Sequence, residues 1–444
     1  MKLSPWNLKA NLRALTQRPP QQIAFIDGLR AISVFFVLLF HCFFLPSRAL
    51  APHYFSQFLE TVPWWLTWVW HGDKGVDTFF VISGFLVGSI LMKEDRQTSQ
   101  VNLKKFYLRR IFRIWPAYWL LLALYLLGDP THIHYLWASL LFVNNFISSE
   151  HFIAPWTWSI TVEMQFYLLF PPFYVLVLRR SRHKFTWLIG LFIAANVIML
   201  LITAANPDFY RIPLYKHFFN LESGTALAFA DAIYLNLYTR AGPFILGLIL
   251  ALLWTNHRPA IDTFLKRYPS LPNALLALGF FLIIMNSFLP YHNPRSALYD
   301  VHRPWLNFLI IVFNRNLFSL GVALVMWSCL FPRGLAIYLA KLLSHRWLLP
   351  FANTSYSIYL FHLPILIVAA WLTYAPLTAP SALKNISLEN LLNYPQQILL
   401  AMIGFLLSFG FAAVVYVLLE KPLIEMGHRL TSPIHSQRKN SAQK

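Results

Sequence analysis

Residues 23–45 read IAFIDGLRAISVFFVLLFHCFFL, an apolar stretch that nevertheless contains Asp27, Arg30 and His41. A helix crosses a bilayer in about 20 apolar residues, so this stretch is long enough. An ionisable group at the bilayer centre costs roughly 2.5–3.5 kcal/mol on insertion scales, so we expect these three to have a use. Arg30 and His41 are separated by about three helical turns, or about 16 Å, and Asp27 shares their face. We expect that face to line a polar interior.

The composition is that of a helical membrane protein. Of the 444 residues, 57% are hydrophobic and 12% are charged, against about 25% charged in soluble proteins. Repeated apolar runs indicate an all-α polytopic membrane protein. The net charge of +19 would suggest nucleic acid for a soluble protein. Here the basic residues cluster in short loops between spans, so no nucleic-acid partner is expected. No zinc-ligand spacing is present, so no metal is expected.

About ten segments are long and apolar enough to be transmembrane helices. They are residues 23–45, 75–92, 113–128, 158–178, 185–204, 233–254, 272–290, 307–330, 355–374 and 396–419. An eleventh segment, 135–147, would rise only about 20 Å as a helix, which is less than the hydrocarbon core.

The charge of the loops decides whether segment 135–147 crosses. If it does not and the N-terminus is cytoplasmic, 26 of the 36 Lys and Arg residues lie in inside loops and 7 in outside loops. If it does cross, the two sides are almost equal, so the ten-span topology is favoured. Both termini are then cytoplasmic, and 135–147 is one short re-entrant or interfacial helix on the outer side.

The domain organisation is simple. We expect a basic cytoplasmic N-terminus (1–22), one membrane domain (23–425) and a disordered cytoplasmic tail (426–444). The first apolar run is too long and too charged for a cleavable signal peptide, so it is expected to be the first span. Cys42 and Cys329 both lie in apolar segments and are expected to be packing residues.

Asp77 opens the second span, within GVDTFFVISGFLVGSIL (75–91). It is expected either to cap the N-terminus of that helix or to line an outer cavity with His41 and orient the imidazole, and the two roles are compatible.

The basic loop 93–113 leads into FYLRRIFRIWPAYW (106–119). Its Arg109, Arg110 and Arg113 are expected either to follow the positive-inside rule and contact lipid head groups or to bind phosphates. Arg110 and Arg113, one turn apart, would form the phosphate-binding fork, because Arg makes bidentate phosphate contacts.

Three other places carry candidate site residues. Glu163 follows Ser159, a candidate substrate-binding residue, by one turn. This carboxylate is expected either to handle protons with His41 or to be an interfacial hydrogen-bonded group. His362 lies inside a predicted span, and we expect it to be either a structural residue or a substrate-binding residue. Trp64 and Trp65 precede the second span, as an interfacial aromatic belt or as a stacking surface for a sugar ring.

Together these segments resemble the acyltransferase-3 family of integral membrane acyltransferases. The resemblance covers about residues 23–425 and rests on motifs in the family's order. They are IDGLRAISVFFVLLFH (26–41), GVDTFFVISGFL (75–86), FYLRRIFRIWPAYW (106–119), WSITVEMQFYLLFP (158–171), SYSIYLFHLP (355–364) and EKP (420–422). Ser33 stands where the family usually has Ala.

The resemblance implies transfer of an acyl group, usually acetyl, from cytoplasmic acyl-CoA to a hydroxyl of an envelope carbohydrate or lipid-linked sugar. Arg30 and His41 match the family's essential Arg/His pair. Arg110 and Arg113 match its RxxR element, thought to meet the coenzyme, and Glu163 matches the Glu of its WSxxxE-type motif. The implied location is the bacterial inner membrane.

A mechanism follows as a hypothesis. The coenzyme's phosphates dock on the arginine loop, Arg30 orients the thioester, and His41 acts as general base or acyl relay with Glu163 or Asp77 setting its tautomer. A carrier or flippase for a polar solute is the main alternative. Whether the chain works alone, as a homo-oligomer or with a periplasmic partner stays open.

Overall fold

The computed structural model describes residues 4–19, 22–47, 57, 59–219, 224–299, 302–374 and 394–431. Within these residues the secondary structure is helical and contains no strand. We number the ten long apolar helices α1 to α10. They are Phe25–Ser47, Gly75–Thr98, Leu103–Gly128, Trp158–Phe173, Lys184–Ala205, Leu237–Asn256, Leu271–Ser287, Pro304–Leu330, Leu349–Tyr374 and Tyr394–Val415.

The helices confirm a polytopic membrane protein. By length and composition, nine helical stretches of the described chain are able to cross a bilayer. A tenth span results if Arg258–Arg267 and α7, which are bent by 103° to each other, are counted as one. Each of the ten predicted segments overlaps one of the ten numbered helices.

Segment 135–147 does not cross, as expected, but it is not one continuous helix. Its only α-helical part is Leu136–Leu140, five residues long, which rises about 7.5 Å. The chain then turns back because two buried asparagines bind α4. Thr161 donates to the side-chain oxygen of Asn144 at 2.5 Å, and Gln165 donates to that of Asn145 at 2.7 Å.

The two ends of the described chain lie on the same side of the bundle. A short helix, Leu8–Ala14, precedes α1, and its Asn11 donates a hydrogen bond to the carbonyl oxygen of Val417. The C-terminal helix runs over Lys421–Leu430. Residues 426–430, placed in the disordered tail, are therefore helical, and residues 432–444 lie outside the described part. The contact agrees with an even number of crossings between the two ends.

Two glycines allow α2 and α6 to touch backbone to backbone. A Cβ on Gly84 would overlap the carbonyl oxygen of Phe244, and one on Gly247 would overlap that of Val81. Such small-residue contacts are typical of membrane helix pairs, because packing rather than water drives association there. The contact fixes the middle of α2, where Ser83 faces α4.

Candidate active site

A cavity in the interior of the bundle brings together five of the predicted site residues, which are Arg30, Arg110, Arg113, Ser159 and Glu163. Its volume is about 100 Å³, and it is lined by α1, α2, α3, α4 and α9. The polar lining residues are Arg30, Ser83, Arg110, Arg113, Ser159, Glu163, Tyr167, Ser355, Tyr356 and Tyr359. The charged lining residues are three arginines and one glutamate, a formal excess of two positive charges. The cavity therefore favours an anionic ligand.

Glu163 is held in the cavity by two hydroxyl groups. Its carboxylate accepts hydrogen bonds from Ser83 of α2 and from Tyr167, one turn further along α4. The guanidinium carbon of Arg110 lies 4.6 Å from the centroid of the Tyr167 ring. Ser159, one turn before Glu163, also lines the cavity, so the expected shared face is confirmed.

Arg30 reaches the same cavity from α1. Its guanidinium donates a hydrogen bond to the Ser355 hydroxyl at 3.0 Å, so α1 and α9 are joined beside the arginines of α3. Arg30 and the Arg110/Arg113 pair, 80 residues or more apart in the sequence, thus converge on one space. This is the arrangement expected if they bind one anionic ligand.

Arg109 is directed elsewhere. Its Nε donates to the Thr431 hydroxyl at 2.8 Å, and it does not line the cavity. One helical step turns a side chain by about 100°, so Arg109 and Arg110 leave α3 in different directions. The structure therefore separates Arg109, expected to bind the cofactor, from Arg110 and Arg113.

His41 lies beyond the cavity, and its neighbour is His362. Nδ1 of His41 is 3.2 Å from Nε2 of His362 and 2.8 Å from the Val37 carbonyl oxygen. Arg30 and His41 therefore both face α9, and the shared helix face that their spacing predicted is confirmed. His362 was expected to bind substrate or to be structural, and no sequence pattern indicated that it would contact His41.

Neither predicted carboxylate touches His41 in the described residues. Asp77 is fully buried and is the third residue of α2, where it forms no cap. It lies 2.9 Å from Nη2 of Arg240 and 2.8 Å from Nη1 of Arg315. Glu163 is held by its two hydroxyl donors. Both carboxylates are therefore bound to other groups. No contact in the described residues supports the expectation that Asp77 or Glu163 orients His41.

Sequence reasoning assigned no role to Arg240 or Arg315. Arg240 is 1% exposed and lies over the rings of Trp158 and Tyr234, and Arg315 also pairs with Asp73. Both arginines interrupt apolar spans, where a charged side chain needs a partner, and this could have indicated that they form buried ion pairs. Together Asp73, Asp77, Arg240 and Arg315 form a charge cluster that ties α2, α6 and α8.

Three predicted substrate-binding residues remain. Ser159 is hydrogen-bonded to a neighbouring helix, and Trp64 and Trp65 lie on the surface. Ser159 shares a hydrogen bond of 2.5 Å with the Tyr359 hydroxyl. Trp64 and Trp65 are 78% and 54% exposed, on the surface rather than in a cavity. Residues 48–56 and 58, between α1 and α2, and residues 220–223, between α5 and α6, lie outside the described part. Among described residues, no group of His, Cys, Asp or Glu is arranged to hold a metal ion.

Comparison with known proteins shows which protein family the chain resembles. The chain is similar to the O-acetyltransferase OatA of Staphylococcus aureus strain NCTC 8325, with 29% identity over 366 residues, which cover 78% of this chain and 51% of that protein. OatA of strain COL matches with the same identity and coverage. The chain thus spans about half the length of the curated relatives it matches. No solved structure matches it.

The family assignment rests on almost the whole chain. The sequence profile of a family described as an acyltransferase domain matches residues 23–417, which include all of the candidate site residues named above. The match runs through the ten-helix bundle, the cavity and the His41–His362 contact. The chain therefore belongs to the acyltransferase-3 family.

Proposed function

We propose that this protein is a membrane O-acetyltransferase that moves an acetyl group from cytoplasmic acetyl-CoA to a hydroxyl of a cell-envelope carbohydrate or glycolipid. The observation that carries the proposal is the convergence of Arg30, Arg110 and Arg113 on one interior cavity with Glu163. The family membership and the name of its O-acetyltransferase relatives support the reaction class.

The cavity suits the donor by charge. Coenzyme A is polyanionic, and arginines bind phosphate with several donors in a fixed plane. A cavity of about 100 Å³ is too small for the whole coenzyme. Its phosphates would therefore lie on the cytoplasmic side of Arg110 and Arg113, the eighth and eleventh residues of α3, and only the narrow arm with the thioester would enter the cavity. On the positive-inside rule, the start of α3 is at the cytoplasmic face.

Arg30 and His41, both on α1, would have different roles in the reaction. Arg30 would hold the extended arm of the coenzyme as it passes through the cavity, so that the thioester reaches His41. His41, about 16 Å further along the helix, would take the proton of the acceptor hydroxyl as general base. The hydroxyl oxygen bonds to the acyl carbon, the carbon–sulfur bond breaks, and the proton passes to the thiolate of the coenzyme. Acyl relay through His41 is the alternative order of steps.

The acceptor would approach from the outer side. Outer loops 46–74 and 205–232 are the candidates for acceptor selection, with the exposed Trp64 and Trp65 as a stacking surface. The location that fits an envelope acceptor and a cytoplasmic donor is a bacterial inner membrane, with a second copy of the chain or a periplasmic protein as a further partner. A carrier or flippase is not favoured, because the chain belongs to an acyltransferase family.

The test is transfer of label from radiolabelled acetyl-CoA in membranes that contain the protein or its His41→Ala variant. Fractionation of the labelled product then identifies the acceptor class. We expect label in an envelope glycan with the unchanged protein and none with His41→Ala at equal membrane content. Equal labelling by the two would refute the role of His41, and no labelling by the unchanged protein would refute the donor or the reaction.

A further inference from the structure

The two imidazoles at the end of the site form one hydrogen-bonded pair. Nε2 of His362 lies 3.2 Å from Nδ1 of His41, and the ring centroids are 4.7 Å apart at an interplanar angle of 65°. His362 is 1% exposed. A side chain so deeply buried acts through its neighbours rather than on a substrate, so its effect on the reaction has to pass through His41.

Backbone contacts assign the protons of both rings. Nδ1 of His362 is 2.7 Å from the Tyr359 carbonyl oxygen, and Nδ1 of His41 is 2.8 Å from that of Val37. A carbonyl oxygen only accepts, so each Nδ1 carries a hydrogen and each Nε2 has a lone pair. The N–H of His41 is then shared between the Val37 oxygen and Nε2 of His362. This leaves Nε2 of His41 as the basic nitrogen.

We propose that His362 is a positioning residue for His41. By accepting the Nδ1–H bond together with the Val37 carbonyl oxygen, it holds the orientation of the His41 ring, so that Nε2 presents its lone pair. This inference rests on the proposed function, in which His41 takes the acceptor's proton. When it does, the positive charge is shared with the Nδ1–H group, and the lone pair of His362 stabilises it. No proton leaves His362 in this step.

Helix α9 is held so that it keeps His362 in place. The Tyr359 hydroxyl donates to the Trp156 carbonyl oxygen at 2.6 Å and contacts the Ser159 hydroxyl at 2.5 Å. The ring centroid of Tyr359 lies 5.8 Å from that of His362, and Tyr359 lines the cavity. Tyr359 lines the arginine-lined cavity and His362 contacts His41, so this one turn of α9 joins the two places. The hydrogen bonds of Tyr359 hold that turn in position.

The test compares two substitutions of one residue. His362→Gln keeps an acceptor oxygen near the place of Nε2, whereas His362→Met has a similar length and no such acceptor. We expect His362→Met to lower kcat for acetyl transfer about 10-fold or more, as for loss of a hydrogen bond to a charged group, with KM for acetyl-CoA unchanged. His362→Gln should restore most of kcat. Leu366→Met, one turn further along α9 and equally buried, controls for packing.

Each outcome bears on the inference. Activity of His362→Met equal to that of the unchanged protein would overturn it while leaving the acetyltransferase intact. Equal loss in the Gln and Met variants would also overturn it, because an acceptor would then not suffice. If the unchanged protein transfers no label, the proposed function fails first. Elution as a single species in detergent reports folding, and His362→Phe replaces the Met variant if that variant is not inserted.

Discussion

Nη1 of Arg315 lies 2.8 Å from Oδ2 of Asp77, and Nη2 of Arg240 lies 2.9 Å from the other carboxylate oxygen. Asp77 and Arg240 are 0% and 1% exposed. One carboxylate therefore pairs with two cations from α6 and α8 in a space without bulk water. Removal of one partner of a buried ion pair costs more than the pair contributes, because the remaining charge is left unpaired.

Asp77→Asn should therefore destabilise the protein. We expect a loss of about 3–5 kcal/mol, seen as a lower thermal midpoint in detergent and less protein in the membrane. Asp262→Asn removes a pair that is half exposed, with 3.9 Å between Arg258 and Asp262, and should change little. An unchanged midpoint with a large fall in kcat would instead support Asp77 as a group that orients His41.

Arg109 and Arg110 provide a matched pair for the donor site. Arg110→Ala and Arg113→Ala should each raise KM for acetyl-CoA about 10-fold or more, because each removes a charged hydrogen-bond donor from the cavity. Arg109→Ala should leave KM unchanged, since Arg109 binds Thr431 instead. Acetyl-transfer kinetics over a range of acetyl-CoA concentrations measure this. An equal effect of all three changes would instead indicate general electrostatic attraction by the basic part of α3.

The contact between α2 and α6 depends on glycine. Gly84→Ala should lower the thermal midpoint and the amount of inserted protein, because its Cβ would overlap the Phe244 carbonyl oxygen and push the two helices apart. Gly410→Ala is the control, since a Cβ there meets nothing within 4 Å. Thermal unfolding of both variants in the same detergent gives the comparison, and equal midpoints of the two variants would contradict this backbone contact.

His292 should make stability depend on pH. It lies between α7 and α8, stacked on Trp70 with ring centroids 6.0 Å apart, and burial lowers its pKa to about 4. The unfolded chain binds this proton near pH 6.5 and the folded protein does not. Stability should therefore fall as pH drops from about 6.5 to about 4. Thermal midpoints of His292→Phe should fall less over that range, whereas those of His134→Phe, at a less buried site, should follow the unchanged protein.

Some elements of the site were predictable because they depend on local periodicity. The spacing of Arg30 and His41 placed both on one face of α1, and the structure shows both facing α9. Ser159 and Glu163 likewise share the cavity. The segment 135–147 shows the limit of such reasoning. Its apolar composition predicted a helix, but Asn144 and Asn145 bind α4, and these distant contacts break the segment into short turns.

The sequence by itself determined where the membrane helices lie and which family the chain belongs to, because hydrophobic length and ordered motifs are properties of the chain taken segment by segment. Only the tertiary structure decided which charges meet. His362 is 321 residues from His41, and Arg315 is 238 residues from Asp77. Such partners are set by the packing of helices that are distant in sequence. In a medium of low dielectric, buried charges such as Asp77 and Arg315 then pair with the complementary groups that this packing supplies.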